Sequence, residues 1–138
     1  MDKKRKIIFI CTGNACRSQI AEGLLKNLAS DKFSVFSAGS HPSQVHPTSV
    51  AVMKEVGIDI SHHTSDPISD YVDHGLDVVI TVCDNAKQAC PVFPGNVEYI
   101  HWNIEDPFNG WDFDPLDLDN FRKVREDINS RIKDFLQV

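Results

Sequence analysis

Apolar residues fall along this chain in two alternating rhythms. Residues 6–11 (KIIFIC) form a short unbroken apolar run, the pattern of a strand buried on both faces. Residues 18–29 (SQIAEGLLKNLA) then place apolar side chains at helical spacing, with Ser18 available as N-cap or first-turn residue. Residues 33–38 (FSVFSA) read as a second strand, closed by Gly39. Residues 47–56 read as a helix begun by Pro47, made amphipathic by Val50, Val52, Met53 and Val56, and ended by Gly57. Residues 77–83 (DVVITVC) are the second strongly apolar strand, and 96–101 (NVEYIH) a weaker fourth. Residues 106–115, rich in Asp, Pro, Asn and Gly, read as a loop. A final helix over 116–136 carries Phe121, Val124, Ile128, Ile132 and Phe135 on one face. Strands alternating with helices predict an α/β fold with a parallel sheet and helices on both faces. Without repeats or linker-like stretches, residues 1–138 read as one domain. Ligands in such folds bind beyond the carboxyl ends of the strands, where Cys11 and Cys83 both stand.

Composition narrows the functions this fold could carry. At 138 residues, 41% hydrophobic and 25% charged, the chain has the make-up of an ordinary soluble globular protein. No apolar run approaches the roughly 18–20 residues of a membrane span. The basic start Lys3-Lys4-Arg5-Lys6 precedes an apolar stretch too short for a signal peptide, so a cytoplasmic protein without membrane contact is expected. The net charge of −6 argues against nucleic acid, which needs a basic face. A small anion is still admissible, because a local cradle of N–H groups can hold one. Four cysteines in a reducing compartment are poor candidates for structural disulfides. Their spacings, Cys11-x4-Cys16 and Cys83-x6-Cys90, match no structural zinc pattern. Packing residues or reactive thiols are left.

The stretch Cys11-Thr12-Gly13-Asn14-Ala15-Cys16-Arg17-Ser18 joins a strand to an amphipathic helix. Such a turn points successive backbone N–H groups inward as an anion nest, and the helix N-terminus adds its positive end. Thr12, Gly13, Asn14, Ala15, Cys16 and Arg17 are therefore the predicted substrate-binding positions. Gly13 and Asn14 tolerate the positive φ a tight loop needs, and Arg17 can fork onto two oxygens. The same field favours a thiolate at Cys11, with Ser18 placed to hydrogen-bond it. Cys16 is read as packing beneath the loop.

Cys83 and Cys90 bracket a polar, helix-compatible stretch ended by Pro91. If it is helical, the two are about 10 Å apart along the axis, whereas a disulfide needs Cα atoms within roughly 7 Å. The pair then closes only if the helix unwinds, as a redox switch would. After the fourth strand, Asp106 and Glu105 both qualify as a general acid near the strand ends.

Several motifs together resemble one family. CTGNACRSQIAEG at 11–23, SAG at 37–39, MKEVGIDIS at 53–61, HTSD at 63–66, TVCDNAKQACP at 81–91 and HWNIEDP at 101–107 resemble the thioredoxin-coupled arsenate reductases. These share the fold of the low-molecular-weight protein tyrosine phosphatases. The resemblance implies a four-stranded parallel sheet flanked by helices and arsenate as substrate, in a role of arsenical detoxification. It implies Cys11 as nucleophile and Asp106 as acid, with an oxyanion loop at 11–18 and a redox segment at 83–90. It also implies a Cys11–Cys83 and then a Cys83–Cys90 disulfide, reduction by thioredoxin, no tightly bound cofactor, and a monomer. A monovalent cation site, usually potassium, is implied around Asn14, Glu22, Ser37 and Asp66. Two departures stand out: Ala15 where a small hydroxyl residue is common, and a long acidic, aromatic stretch at 108–120. The rival readings are a tyrosine phosphatase of the same fold, which needs only Cys11, Arg17 and Asp106, and a non-catalytic oxyanion or thiol sensor.

Overall fold

The computed structural model describes residues 4–83 and 90–137. The strands are β1 (Arg5–Cys11), β2 (Phe33–Gly39), β3 (Val78–Thr81) and β4 (Glu98–His101); the helices are α1 (Arg17–Ala29), α2 (Pro47–Lys54) and α3 (Leu118–Leu136). Short 3-10 turns lie at Ile68–Tyr71 and Pro115–Asp117. The sheet has four strands in the order β2-β1-β3-β4, all parallel. The reading of 84–89 as a short helix lies outside the described residues.

β1 is the centre of the sheet because Ile7, Ile8, Phe9 and Ile10 leave no polar side chain to face water, and all four are fully buried. In register, Cys11 lies opposite Gly39 and Ile10 opposite Thr81. The chain steps from β1 outward to β2 and then back across to β3. That reversal opens a crevice at the carboxyl ends of β1 and β3, where ligands of such sheets bind. Both faces of the sheet are covered. α1, α2 and α3 pack against one another, and Phe135 of α3 meets Phe33 at 6.0 Å. Phe36, three residues along the same strand and so on the other face, packs against Tyr71 and His74.

Element ends differ from the sequence reading by local chemistry. α2 stops at Lys54 rather than residue 56; Gly57 takes φ +79°, and the Ile58 N–H closes back on the Met53 carbonyl at 3.0 Å. Residues 115–117 form a 3-10 turn before α3, because the Asp114 carboxylate accepts from the Leu116 N–H at 3.0 Å. α1 begins at Arg17, with no side-chain cap at Cys16; the Ser18 hydroxyl turns to the preceding loop instead.

α3 holds the helical layer through Phe121, Val124, Ile128 and Ile132, the buried face the spacing predicts. Ile128 is fully buried. Ile128→Ala should cost about 2–5 kcal/mol, the range for emptying a core site, read as a lower urea midpoint at unchanged slope.

Candidate active site

Cys11 ends β1 with its thiol almost wholly buried. Four of the five residues after it have their carbonyls held from outside the loop. The Thr12 carbonyl accepts from the His41 N–H (2.8 Å), and that of Gly13 from the Ser43 N–H (3.1 Å). Gly13 also receives the hydroxyls of Ser43 (2.8 Å) and Ser65 (3.1 Å). The Asn14 carbonyl accepts from Gln19 Nε2 (3.0 Å). That of Ala15 accepts from the His46 N–H (3.1 Å) and the Ser49 hydroxyl (3.2 Å). Outward-held oxygens of this kind are compatible with inward-facing N–H groups, as in anion nests, and the Asn14 N–H faces Cys11 Sγ. Ala15 is thus secured through its backbone, whatever its side chain lacks.

Asn14 carries the left-handed turn, at φ +48°; Gly13 does not. A buried asparagine supports that conformation here because every polar atom of its side chain is used. Oδ1 accepts from the Asp66 N–H (2.9 Å), and Nδ2 donates to the hydroxyls of Ser18 (2.8 Å) and Ser37 (3.0 Å). The Asn14 N–H donates to Cys11 Sγ at 3.2 Å. Since Ser18 Oγ accepts from Asn14, its own proton is available to Cys11 Sγ, 2.9 Å away. Two donors therefore face the sulfur.

Arg17 reaches across the crevice. Its Nη1 donates to the Ile104 carbonyl (3.1 Å), and Nη2 lies 3.6 Å from Asp106 Oδ2. The Asp106 Oδ1 accepts from the Phe108 N–H at 3.0 Å. Asp106 lines the same cleft of about 480 Å³ as Cys11, Arg17 and Cys83; Glu105 does not line it. Phe108 and Trp111 line one wall of it, whereas Phe113 does not line it; all three rings are exposed.

The four cysteines differ in their settings. Cys83 is buried, its Sγ 3.3 Å from the Thr12 hydroxyl, at the rim of the loop that presents Cys11. Cys90 is half-buried outside the cleft lining, its thiol 3.5 Å from the Pro91 carbonyl, and burial pushes that thiol up from its ordinary value. Burial pushes Cys16 to about 12, an inert thiol suited to packing.

Asn14, Glu22, Ser37 and Asp66 also converge. The Ser37 hydroxyl donates to Glu22 Oε1 and Lys26 Nζ to Glu22 Oε2, both at 2.5 Å. The Asp66 carboxylate accepts from the hydroxyls of Thr64 (2.9 Å) and Tyr71 (3.0 Å). Gln19 and His46 escape the motif reading. Gln19 Nε2 also donates to the Thr64 carbonyl (2.9 Å), and its Oε1 accepts from His63 Nδ1–H (3.0 Å). Its one visible signal is a polar side chain inside an otherwise apolar helix pattern. His46 has none, because its partners lie at positions 15 and 110.

The low molecular weight phosphotyrosine protein phosphatase profile matches residues 6–138. The chain belongs to that family. Within it, the chain is 46% identical to arsenate reductase 1 of Staphylococcus epidermidis, covering 96% of each. A thioredoxin-dependent arsenate reductase of Corynebacterium glutamicum superposes with a TM-score of 0.77 at 33% identity. The match spans 99% of this chain and 62% of that one. A low molecular weight protein tyrosine phosphatase of T. tengcongensis shares the fold, at a TM-score of 0.81 and 24% identity, over 97% of this chain and 99% of its own. Among the described residues no helix is long and apolar enough to cross a membrane.

This phosphatase-family loop depends on its glycine neighbour in β2. A Cβ on Gly39 would lie 2.5 Å from the Thr12 carbonyl oxygen and 3.0 Å from the Asn14 nitrogen, both backbone atoms that must move. Gly39→Ala should therefore weaken phosphate binding by about tenfold or more, as displaced amides lose their charge-assisted bonds. Isothermal calorimetry on native and variant protein checks this; unchanged affinity would mean the cradle tolerates displacement.

Proposed function

We propose that this chain reduces arsenate to arsenite as a cytoplasmic, thioredoxin-linked detoxification enzyme. The observation that carries the reading is Cys83 in the cleft of Cys11, its sulfur 3.3 Å from Thr12 Oγ1. A phosphatase needs no second thiol there. The identity to arsenate reductases over nearly the whole chain and the thioredoxin dependence of one relative support the same reading.

In the proposed sequence, the loop amides and Arg17 bind the oxyanion, with Thr12 to Cys16 supplying the backbone. The Cys11 thiolate attacks arsenic while Asp106 donates a proton to the departing oxygen, which leaves as water. Ser18 steadies the thiolate. Cys83 then attacks Cys11 Sγ; the electron pair of the sulfur–arsenic bond goes to arsenic, which leaves as arsenite. Cys90 attacks Cys83 in turn, returning Cys11 as a thiolate. The Cys83–Cys90 disulfide passes to thioredoxin, by exchange that requires access to the attacked sulfur. Asn14, Glu22, Ser37 and Asp66 fit a monovalent cation such as potassium, because they set hard oxygen donors around a buried carboxylate. A bound potassium would supply positive charge that steadies Glu22 and, through Ser37 and Asn14, the loop. The cleft exceeds the size of a bare oxyanion and has aromatic walls, which favours slow phosphatase activity as a side reaction.

Arsenite production with thioredoxin, thioredoxin reductase and NADPH tests the relay. Cys11→Ser, Cys83→Ser and Cys90→Ser should each abolish multiple turnover. Sustained turnover by Cys90→Ser would remove the third step, and arsenate binding without any arsenite would make the protein a sensor.

Because burial raises the Cys90 thiol, that group is protonated at neutral pH and only its thiolate attacks. Formation of the Cys83–Cys90 disulfide, followed by acid quench and mass mapping, should accelerate about tenfold per pH unit below that pKa. A flat profile from pH 6 to 9 would show that another step limits closure.

A further inference from the structure

The geometry points to His46 as the positioning residue that holds the acid loop in register with the nucleophile loop. This rests on the role proposed above for Asp106. His46 is fully buried and touches both loops at once. Its backbone N–H donates to the Ala15 carbonyl inside the oxyanion loop (3.1 Å). Its ring Nδ1 accepts from the Thr48 N–H (3.0 Å), capping α2. That bond fixes the tautomer, leaving the proton on Nε2, and Nε2 donates it to the Gly110 carbonyl at 2.7 Å. Around these bonds the imidazole stacks on Trp111 (centroids 5.5 Å, 25°) and meets Phe108 edge-on (5.6 Å, 82°). Phe121 of α3 closes the other side at 5.1 Å.

The segment held in this way has no regular structure of its own. Asp106 accepts from the Phe108 N–H within its own segment and lies 3.6 Å from Arg17 across the crevice. The Gly110 bond and the Phe108 and Trp111 rings tie that segment to the residue that also grips the Ala15 carbonyl. His46 therefore sets the distance between Cys11 and Asp106 without touching either. A general acid must sit within hydrogen-bond reach of the oxygen it protonates, and a displacement of about 1 Å can cost up to 100-fold in rate.

His46→Asn separates this role from a structural one. Asparagine caps a helix as well as any residue and keeps the backbone bond to Ala15, but it is too short to reach Gly110 and has no ring to stack. The reduced protein is mixed with one equivalent of arsenate, without reductant, and arsenite is followed through a single turnover. His46→Asn should lower that rate about tenfold, on the scale set by loop displacement, and leave phosphate affinity unchanged. In an Asp106→Asn background the same substitution should lower it no further, the coupling expected of residues acting through one group. Equal losses in both backgrounds, an unaltered rate, or a loss of phosphate binding would each overturn the inference. Should His46→Asn not fold, Phe121→Leu carries the comparison, since it keeps the cap and removes a ring packed on the imidazole from outside the cleft lining. If the native chain yields no arsenite, the reductase reading fails by itself. The same four proteins are then compared on phenyl phosphate, whose leaving group also takes a proton; absence of that reaction too removes the latch with the acid.

Discussion

The outward pull on the carbonyls of residues 12–15 is the constraint on which the site depends. An isolated loop of five residues would let its N–H and C=O groups alternate in direction. Here each oxygen is taken by a group outside the loop: His41, Ser43 and Ser65, Gln19, and finally His46 and Ser49. The loop backbone is thereby held by its surroundings and not by an anion, and preorganisation of that kind is what makes electrostatic stabilisation effective. Asn14 completes the arrangement by committing all its side-chain atoms, which sustains a left-handed residue that is not glycine and sends the Ser18 proton toward Cys11.

A second consequence follows from strand order. β1 and β3 are neighbours at the point where the sheet reverses direction, so residues at their ends are neighbours in space though about seventy positions apart in sequence. Cys11 and Cys83 share a cleft for that reason. Cys90, held half-buried outside the cleft lining, does not. The relay proposed above would begin within that shared cleft. The segment that carries Asp106 is irregular, and it faces the Cys11 loop through Arg17. Anchors on α2 and α3 serve a loop that secondary structure cannot.

The sequence by itself determined a great deal. Continuous apolar runs and helical spacing specified four parallel strands and the helices between them, since period and run length are local properties of the chain. The cysteine, five residues, arginine and serine after a strand are legible as a candidate anion loop, because its parts lie within eight positions. The family match agrees with the resemblance carried by those motifs. Tertiary structure decided which residue bears the positive φ, Asn14 rather than Gly13, and where α2 and α3 begin and end. It set Asp106, and not Glu105, in the cleft, and gave Gln19 and His46 their hydrogen-bond partners. Local bonds such as Ile58 to Met53 set the element ends, but Asn14, Gln19 and His46 take partners at positions 66, 64 and 110. Such bonds depend on where the packed core brings two segments together, and no local pattern of polarity records that.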